Sequence, residues 1–409
     1  MKVLFFSDHF YPEPSAPAAH VYERAALWVK WGHSVTVITA APNFPEGRVY
    51  PGYRNAWRHC EFVEGIKVVR VKTYIARNEG FFRRTLDYMS YMVSSFGFAF
   101  REPVPDVVIS TSPHLFAAVG GLLHARLRRR PHVFELRDLW PASVAVNTGV
   151  SHGFVYRLLE KLELALYRAS KRVLAFTESY RRDLVRRGIA PDKIDVVVNG
   201  ANLSLFAPAP ERDAEIVRQY GLENALTVGY LGTLGLSHGL ENVLAAADLL
   251  RGTRVRFLFV GVGAAKAALE KEAAVRKLDN VIFVPRQPRE QIARYWSVCD
   301  LSLVHLKNDP VFSTVIPSKI FESMAMGLPV LYCGPASDGS EIVMRHEAGS
   351  FVPGADPAAL AAAVMQLEGD RQLRARLAAN SAAAAANYSR ARQAELSLEV
   401  LRKAVEVPA

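Results

Sequence analysis

Short apolar runs separated by amphipathic stretches recur from one end of the chain to the other. Val3–Phe6 is followed by an amphipathic stretch from Ala18 to Trp31, a Gly32-His33 break and a second apolar run, Ser34–Thr39. Val68–Val71, Val107–Ser110, His132–Glu135, Arg172–Phe176 and Asp195–Val198 continue the series, with helical patterns between most of them. Strands alternating with helices predict a parallel sheet. The rhythm restarts at Leu226–Leu231, with a helix over Leu240–Leu250 and strands over Arg254–Val260, Asn280–Val284, Leu301–Val304 and Pro329–Tyr332. One Ala-rich helix is expected over Pro357–Asn387 and a last one over Arg390–Val405. The junction between the two arrays falls near Asn199–Leu222, where Asn199-Gly200, Pro208 and Pro210 break regular structure.

The chain has 409 residues, too many for one ordinary core. The pattern therefore predicts an α/β protein of two Rossmann-like domains, residues 1–199 and 200–387, followed by a C-terminal helix in 388–409. Charge changes this picture in one respect. The net charge of +10 lies wholly in the first half: residues 1–199 hold 28 Lys and Arg against 18 Asp and Glu, and the remainder is balanced at 22 each. A one-sided positive charge suits a membrane surface or a phosphorylated substrate. Nucleic acid is set aside, because no recognition helix, zinc finger or aromatic-basic RNA motif is present. Cys60, Cys299 and Cys333 form no C-x-x-C and stand beside no His cluster, which points to a reducing compartment and to no structural zinc. The opening run Val3–Phe6 is too short for a signal peptide, and nothing approaches the roughly 18 uninterrupted apolar residues of a membrane span. The expected location is the cytoplasm, peripheral on the inner face of the membrane.

Candidate chemistry sits in loops at strand C-terminal ends, where open α/β sheets bind ligands. The first such loop runs Asp8-His9-Phe10-Tyr11-Pro12-Glu13-Pro14-Ser15-Ala16-Pro17-Ala18. It is not G-x-G-x-x-G, and an ordinary βα loop accounts for it equally well. The stretch Glu135–Pro141 places Arg137 and Asp138 at the same edge, as site residues or as a structural ion pair. Thr227–Gly239 runs a strand into a glycine-rich turn. Gly232 and Gly235 there let backbone approach a phosphate, and His238 offers a hydrogen bond. Thr314–Val330 is the most informative stretch. A short helix is expected to open at Pro317-Ser318, with the Ser318 and Lys319 amides and the Lys319 ammonium forming a diphosphate site. Glu322, one turn on from Ser318, is placed to accept ribose hydroxyls. Arg77–Pro103 interleaves aromatic and basic residues, including Phe81-Phe82-Arg83-Arg84, at helical spacing, as a membrane-interface helix does. A core helix with a solvated basic face has the same pattern. No Asp-x-Asp occurs, so no metal-bridged diphosphate site is expected, and no cofactor.

Taken together, these motifs resemble the retaining glycosyltransferases of family 4, which have the GT-B fold: two Rossmann-like domains facing each other across a cleft. The resemblance runs from Tyr11-Pro12 through Gly32–Val37, Pro42–Gly47, Arg137–Pro141, Asn199-Gly200 and Gly232–Gly239 to Pro317-Ser318-Lys319, Glu322 and Gly327-x-Pro329-Val330. Within the family the chain looks closest to the bacterial branch that includes N-acetyl-fucosamine transferases of O-antigen and exopolysaccharide synthesis. The resemblance implies a nucleotide-sugar donor, UDP-linked rather than GDP-linked, on the C-terminal domain. It implies an acceptor, a glycan or a polyprenyl-diphosphate-linked sugar, on the N-terminal domain, with Ser15, Ala16 and Pro17 in the acceptor or interdomain loop. The last helix is expected to pack back on the N-terminal domain. Lys319, Arg137 and Asp138 are implied in catalysis. Gly232, Thr233, Leu234, Gly235, His238, Arg286, Thr314, Pro317, Ser318, Lys319 and Glu322 are implied around the donor. The chain departs from the family pattern at four positions. Thr314 replaces the first of two glutamates, Thr233 and His238 replace an Arg and a Lys, and Arg137 replaces a histidine. A nucleotide-sugar 2-epimerase and a non-catalytic nucleotide-sugar-binding protein at the membrane surface are the rival readings.

Overall fold

The computed structural model describes the chain except for residues 76–80, 113, 140–152, 355 and 407–409. Trp140 and Pro141, and Arg77 at the start of the basic-aromatic segment, thus lie outside the described residues, as do the side chains of Phe81, Phe82 and Arg84. The chain forms two compact units, Met1–Val198 with Gln393–Ala409, and Asn199–Arg392. The break falls one residue before the expected position. The last helix, Arg390–Glu406, starts in the second unit and belongs to the first from Gln393 onward.

In the first unit, strands β1 (Lys2–Phe6), β2 (Ser34–Ala40), β3 (Arg58–Val63), β4 (Ile66–Val71), β5 (Val107–Thr111), β6 (His132–Leu136), β7 (Arg172–Ala175) and β8 (Ile194–Val196) form one sheet. Its order is β3-β4-β2-β1-β5-β6-β7-β8. Every neighbouring pair is parallel except β3 with β4. β1, β5 and β6 are buried at nearly every residue, as strands covered on both faces must be. That explains why their sequences are continuous apolar runs. β3 was not anticipated, and its residues explain why. Arg58-His59-Cys60-Glu61-Phe62-Val63 lies largely exposed at the sheet edge. It is held as a hairpin by Glu64-Gly65, both at positive φ, the geometry a tight two-residue turn requires. Phe5, Trp28, Ile109, Phe134 and Tyr167 build the core together with Ala394, Leu398 and Leu401 of the last helix. The Trp28 indole N–H donates to the Ala394 carbonyl at 2.9 Å, and Lys403 reaches Asp195 at 3.2 Å.

The second unit has six parallel strands: β9 (Leu226–Leu231), β10 (Val255–Val260), β11 (Val281–Val284), β12 (Leu301–His305), β13 (Val330–Gly334) and β14 (Gly349–Pro353). Their order is β11-β10-β9-β12-β13-β14. β14 was also missed. Its glycine and proline ends read as loop, but pairing along β13 makes it a strand, and a side chain at Gly349 would stand 1.8 Å from the Val330 carbonyl oxygen. The single helix expected over Pro357–Asn387 is corrected to two, Pro357–Gly369 and Arg371–Ala385. Asp370 divides them by accepting from the Leu373 amide at 2.8 Å, an N-cap that starts a new helix. In each sheet the chain order reverses beside the first strand, between β1 and β5 and between β9 and β12. Crevices at such reversals are where open α/β sheets bind ligands.

Candidate active site

In the second unit the crevice is built on Gly232. β9 ends there with φ at 136°, a conformation glycine adopts without strain. The loop is pinned by its neighbour: the Gly232 amide donates to the Val260 carbonyl and the Leu234 amide to the Val262 carbonyl, each at 2.9 Å. Leu234 is fully buried and Thr233 exposed. Gly235 leads into the turn Leu236–His238, and Gly239 closes it.

Lys319 opens the helix Lys319–Ala325, whose Ile320, Phe321 and Met324 anchor it in the core. Ser318, its N-cap, is exposed and makes no side-chain capping bond, and Pro317 precedes it. Lys319 is only 9% exposed, and its Nζ has no hydrogen-bond partner among the described residues. The ammonium lies over the Tyr230 ring, 3.3 Å from its centre, a cation–π contact. A Cβ on Gly232 would be 3.6 Å from the same nitrogen. Gly232 is thus the thin backbone cover over a buried, unpaired cation. Burial pushes the Lys319 ammonium down to about 7, against the opposing pull of Glu322. The Glu322 carboxyl is pushed up to about 7 by burial, resisted by the charges of Arg289 and Lys319. His238 is held neutral by burial and by Lys319, with its pKa near 4. Its Nδ1 is buried without a hydrogen-bond partner among the described residues, and its carbonyl accepts from His305 at 2.6 Å.

Gly232, Lys319, Glu322 and His238 are thus brought to one place. Thr314 ends the turn Pro310–Thr314 with its hydroxyl bonded to the Val311 carbonyl at 3.4 Å, and it supplies no carboxylate. Arg286 is exposed and makes no hydrogen bond or ion pair among the described residues. Besides Lys319, the cation acting on Glu322 is Arg289, three residues on from Arg286. Sequence reasoning named neither Arg289 nor Tyr230. Tyr230 lies in the β9 run, where an aromatic residue reads as core, and only the fold brings Lys319 over its ring.

In the first unit Ser15 caps the helix Ala16–Lys30 by accepting from the Ala18 amide, with Ala16 and Pro17 in its first turn. Arg137 and Asp138 follow β6, and the Ser112 hydroxyl accepts from both of their amides, at 2.8 and 3.3 Å. They are not an ion pair with each other. The Arg137 guanidinium lies 5.0 Å from the Phe176 ring centre, and its Nη1 is buried without a hydrogen-bond partner among the described residues. Burial lowers the Arg137 pKa, with Glu135 opposing. Glu135 is itself paired with buried Arg24. The loop after β1 carries a second group that sequence reasoning did not single out. His9 Nδ1 meets Glu13 at 2.7 Å, and Glu13 accepts the Asn43 and Phe44 amides at 2.8 and 3.0 Å. Asp8 stands between His9 and His114.

Two family descriptions match the chain: "Glycosyl transferase 4-like domain" over residues 15–200 and "Glycosyl transferases group 1" over residues 213–384. The "Putative colanic acid biosynthesis glycosyl transferase WcaI" of Escherichia coli K12 is 30% identical over 335 residues, 80% of this chain and 82% of that protein. The chain is a family 4 glycosyltransferase. The transferase also resembles the "Probable glycosyltransferase WbjE" of Pseudomonas aeruginosa, 27% identical over 260 residues, 63% of this chain and 64% of the relative. Its fold matches Anabaena Alr3699/HepE, solved in complex with UDP, with a TM-score of 0.72 at 18% identity over 98% of this chain and 100% of that one. Sucrose-phosphate synthase from Thermosynechococcus elongatus matches with a TM-score of 0.75 at 18% identity, covering 98% of each chain. The transferase therefore has the GT-B fold. A third description, "FAE1/Type III polyketide synthase-like protein", matches residues 161–264, a range that begins in one unit and ends in the other and so corresponds to neither.

Proposed function

We propose that this glycosyltransferase takes a sugar from a UDP-linked donor held on its second unit. It would pass the sugar, with retained configuration and without a metal, to a glycan or polyprenyl-diphosphate-linked acceptor in bacterial cell-surface polysaccharide synthesis. One observation carries the donor half: the buried, unpaired Lys319 ammonium beneath Gly232. A diphosphate approaching the backbone at Gly232 would meet that charge in a low-dielectric setting, where it stabilises a leaving group most strongly. Glu322 is the hydrogen-bond acceptor for ribose hydroxyls, and Asp138 orients the sugar acceptor. The fold neighbour solved with UDP supports the choice of nucleotide, and the WcaI likeness supports the polysaccharide setting. The sugar is an N-acetylated amino sugar such as N-acetyl-fucosamine, on the motif resemblance.

The membrane face of this reading rests on the helix Phe81–Ala99. It exposes Leu86, Met89 and Val93 along one side, with Arg83 exposed near its start. Among the described residues no helix is long and apolar enough to cross a membrane. The test is a mass-spectrometric donor screen with UDP- and GDP-sugars, with and without a polyprenyl-diphosphate-linked sugar. Acceptor-dependent addition from a UDP-sugar is expected. Conversion of donor without acceptor would replace this reading with an epimerase, and binding without product with a non-catalytic protein.

A further inference from the structure

At the sheet reversal of the first unit, two strands end on groups that are buried and not satisfied by each other. Asp8 follows β1 and His114 precedes the helix Leu115–Leu127 after β5. Their side chains are 9% and 7% exposed. His114 Nδ1 accepts the Ala117 amide at 2.9 Å, so the ring proton is fixed on Nε2. That N–H has no hydrogen-bond partner among the described residues. It stands 3.8 Å from Asp8 Oδ2, too far for a direct bond. His9 Nε2 stands 4.0 Å from the same oxygen. A fixed donor and a carboxylate at this separation can be bridged by one group that both accepts and donates, at about 2.8 Å to each.

The chemistry of the surroundings selects that group. A phosphate or carboxylate would be repelled by Asp8 and by Glu13, which holds His9 from the other side. An ammonium would face His9, whose charge burial opposes but Glu13 and Asp8 favour, raising its pKa to about 9. A hydroxyl satisfies both partners without adding charge. Aromatic rings stand against the two imidazoles: the Tyr88 ring is centred 4.1 Å from His114 and the Phe44 ring 5.3 Å from His9, both in edge contacts. Carboxylate, imidazole and nearby aromatic rings together suit the alternating hydroxyl and C–H surfaces of a sugar ring. His9, with its side chain 30% exposed, is the point of entry.

We infer that Asp8 and His114 bind a hydroxyl of the acceptor sugar, with His9 beside them. This deepens the proposed transferase reading and rests on it for the word acceptor, but the sugar site itself is tested without any transfer. Full-length protein is mixed with the methyl glycosides of glucose, galactose and N-acetylglucosamine, and saturation transfer to their ring protons is recorded by NMR. Asp8→Asn keeps shape and removes the charge. His114→Asn keeps an oxygen for the Ala117 amide and removes the Nε2 donor. UDP affinity and Tm are measured on the same samples. The expected result is transfer to at least one glycoside, reduced at least fivefold in both variants, with Tm retained and UDP affinity within twofold of the parent protein. No transfer to any glycoside with the parent protein, or equal transfer with both variants, would overturn the inference, the second outcome meaning that the gap holds only water. Sugar binding that depends on Asp8 and His114 in a protein that binds no UDP would uphold the site and count against the donor reading.

Discussion

The Lys319 ammonium is placed where its charge is disfavoured. Burial brings its pKa down to about 7, and the Tyr230 ring face compensates by only about 0.5–2 kcal/mol. An unpaired buried charge is an expected source of instability, so its presence beneath Gly232 marks a site kept ready for an anion. Lys319→Met fills the same space without the charge. It should lower transfer at least tenfold, about 1.4 kcal/mol or more in the barrier, with Tm unchanged or raised. Near-normal turnover would remove Lys319 from the reaction. Glu322→Gln should weaken UDP binding about tenfold by calorimetry, the cost of a hydrogen bond to a charged group. Lys319 and Glu322 were legible in the sequence because their spacing on a short helix after a loop is local information. Tyr230, Arg289 and the Asp8–His114 pair were not, because each meets its partner only when separate strands or loops are brought together.

At the scale of elements, the glycine turn works as part of a two-loop unit. Gly261 follows β10 with φ at 152°, and a Cβ there would lie 1.9 Å from the Gly232 carbonyl oxygen. Gly263 is equally restricted, with a Cβ 2.2 Å from the Leu234 carbonyl oxygen. Gly261→Ala should therefore shift the Gly232 turn, cost about 1–3 kcal/mol of stability and weaken UDP binding. Thermal melts and calorimetry on one preparation check both effects. Unchanged UDP affinity would show that the turn does not need this support. β9 was read from the sequence at its observed limits because a fully buried strand is an uninterrupted apolar run. β3 and β14 escaped because edge exposure and glycine-proline ends erase that signal. The Gly369-Asp370 break was present in the sequence as a stop followed by a cap, but the alanine background hid it.

At the scale of the whole molecule, the last helix makes the first unit depend on both ends of the chain. Leu401 is fully buried in the core built around Phe5 and Trp28. Leu401→Ala should cost about 2–5 kcal/mol and speed amide hydrogen exchange across β1–β8 before β9–β14. Equal exchange in both units would deny the helix that role. Within the second unit the entering and leaving chain are tied together: Ala201 pairs with Ser389, and the Arg390 amide donates to the Ala201 carbonyl at 2.8 Å. The two-array rhythm announced both units, and the Asn199-Gly200 break their boundary. The most direct test of the account is proton linkage in UDP binding at pH 8, followed by calorimetry in buffers of different ionisation enthalpy. In the free protein Lys319, with its pKa near 7, is then mostly neutral and Glu322, also near 7, mostly ionised. A bound diphosphate raises the Lys319 pKa, so UDP should bind with uptake of about 0.5–1 proton, and its affinity should fall as pH rises through and above 7. The uptake should vanish in Lys319→Met. Binding without proton uptake, at an affinity that Lys319→Met leaves unchanged, would contradict the placement of the donor diphosphate on this charge.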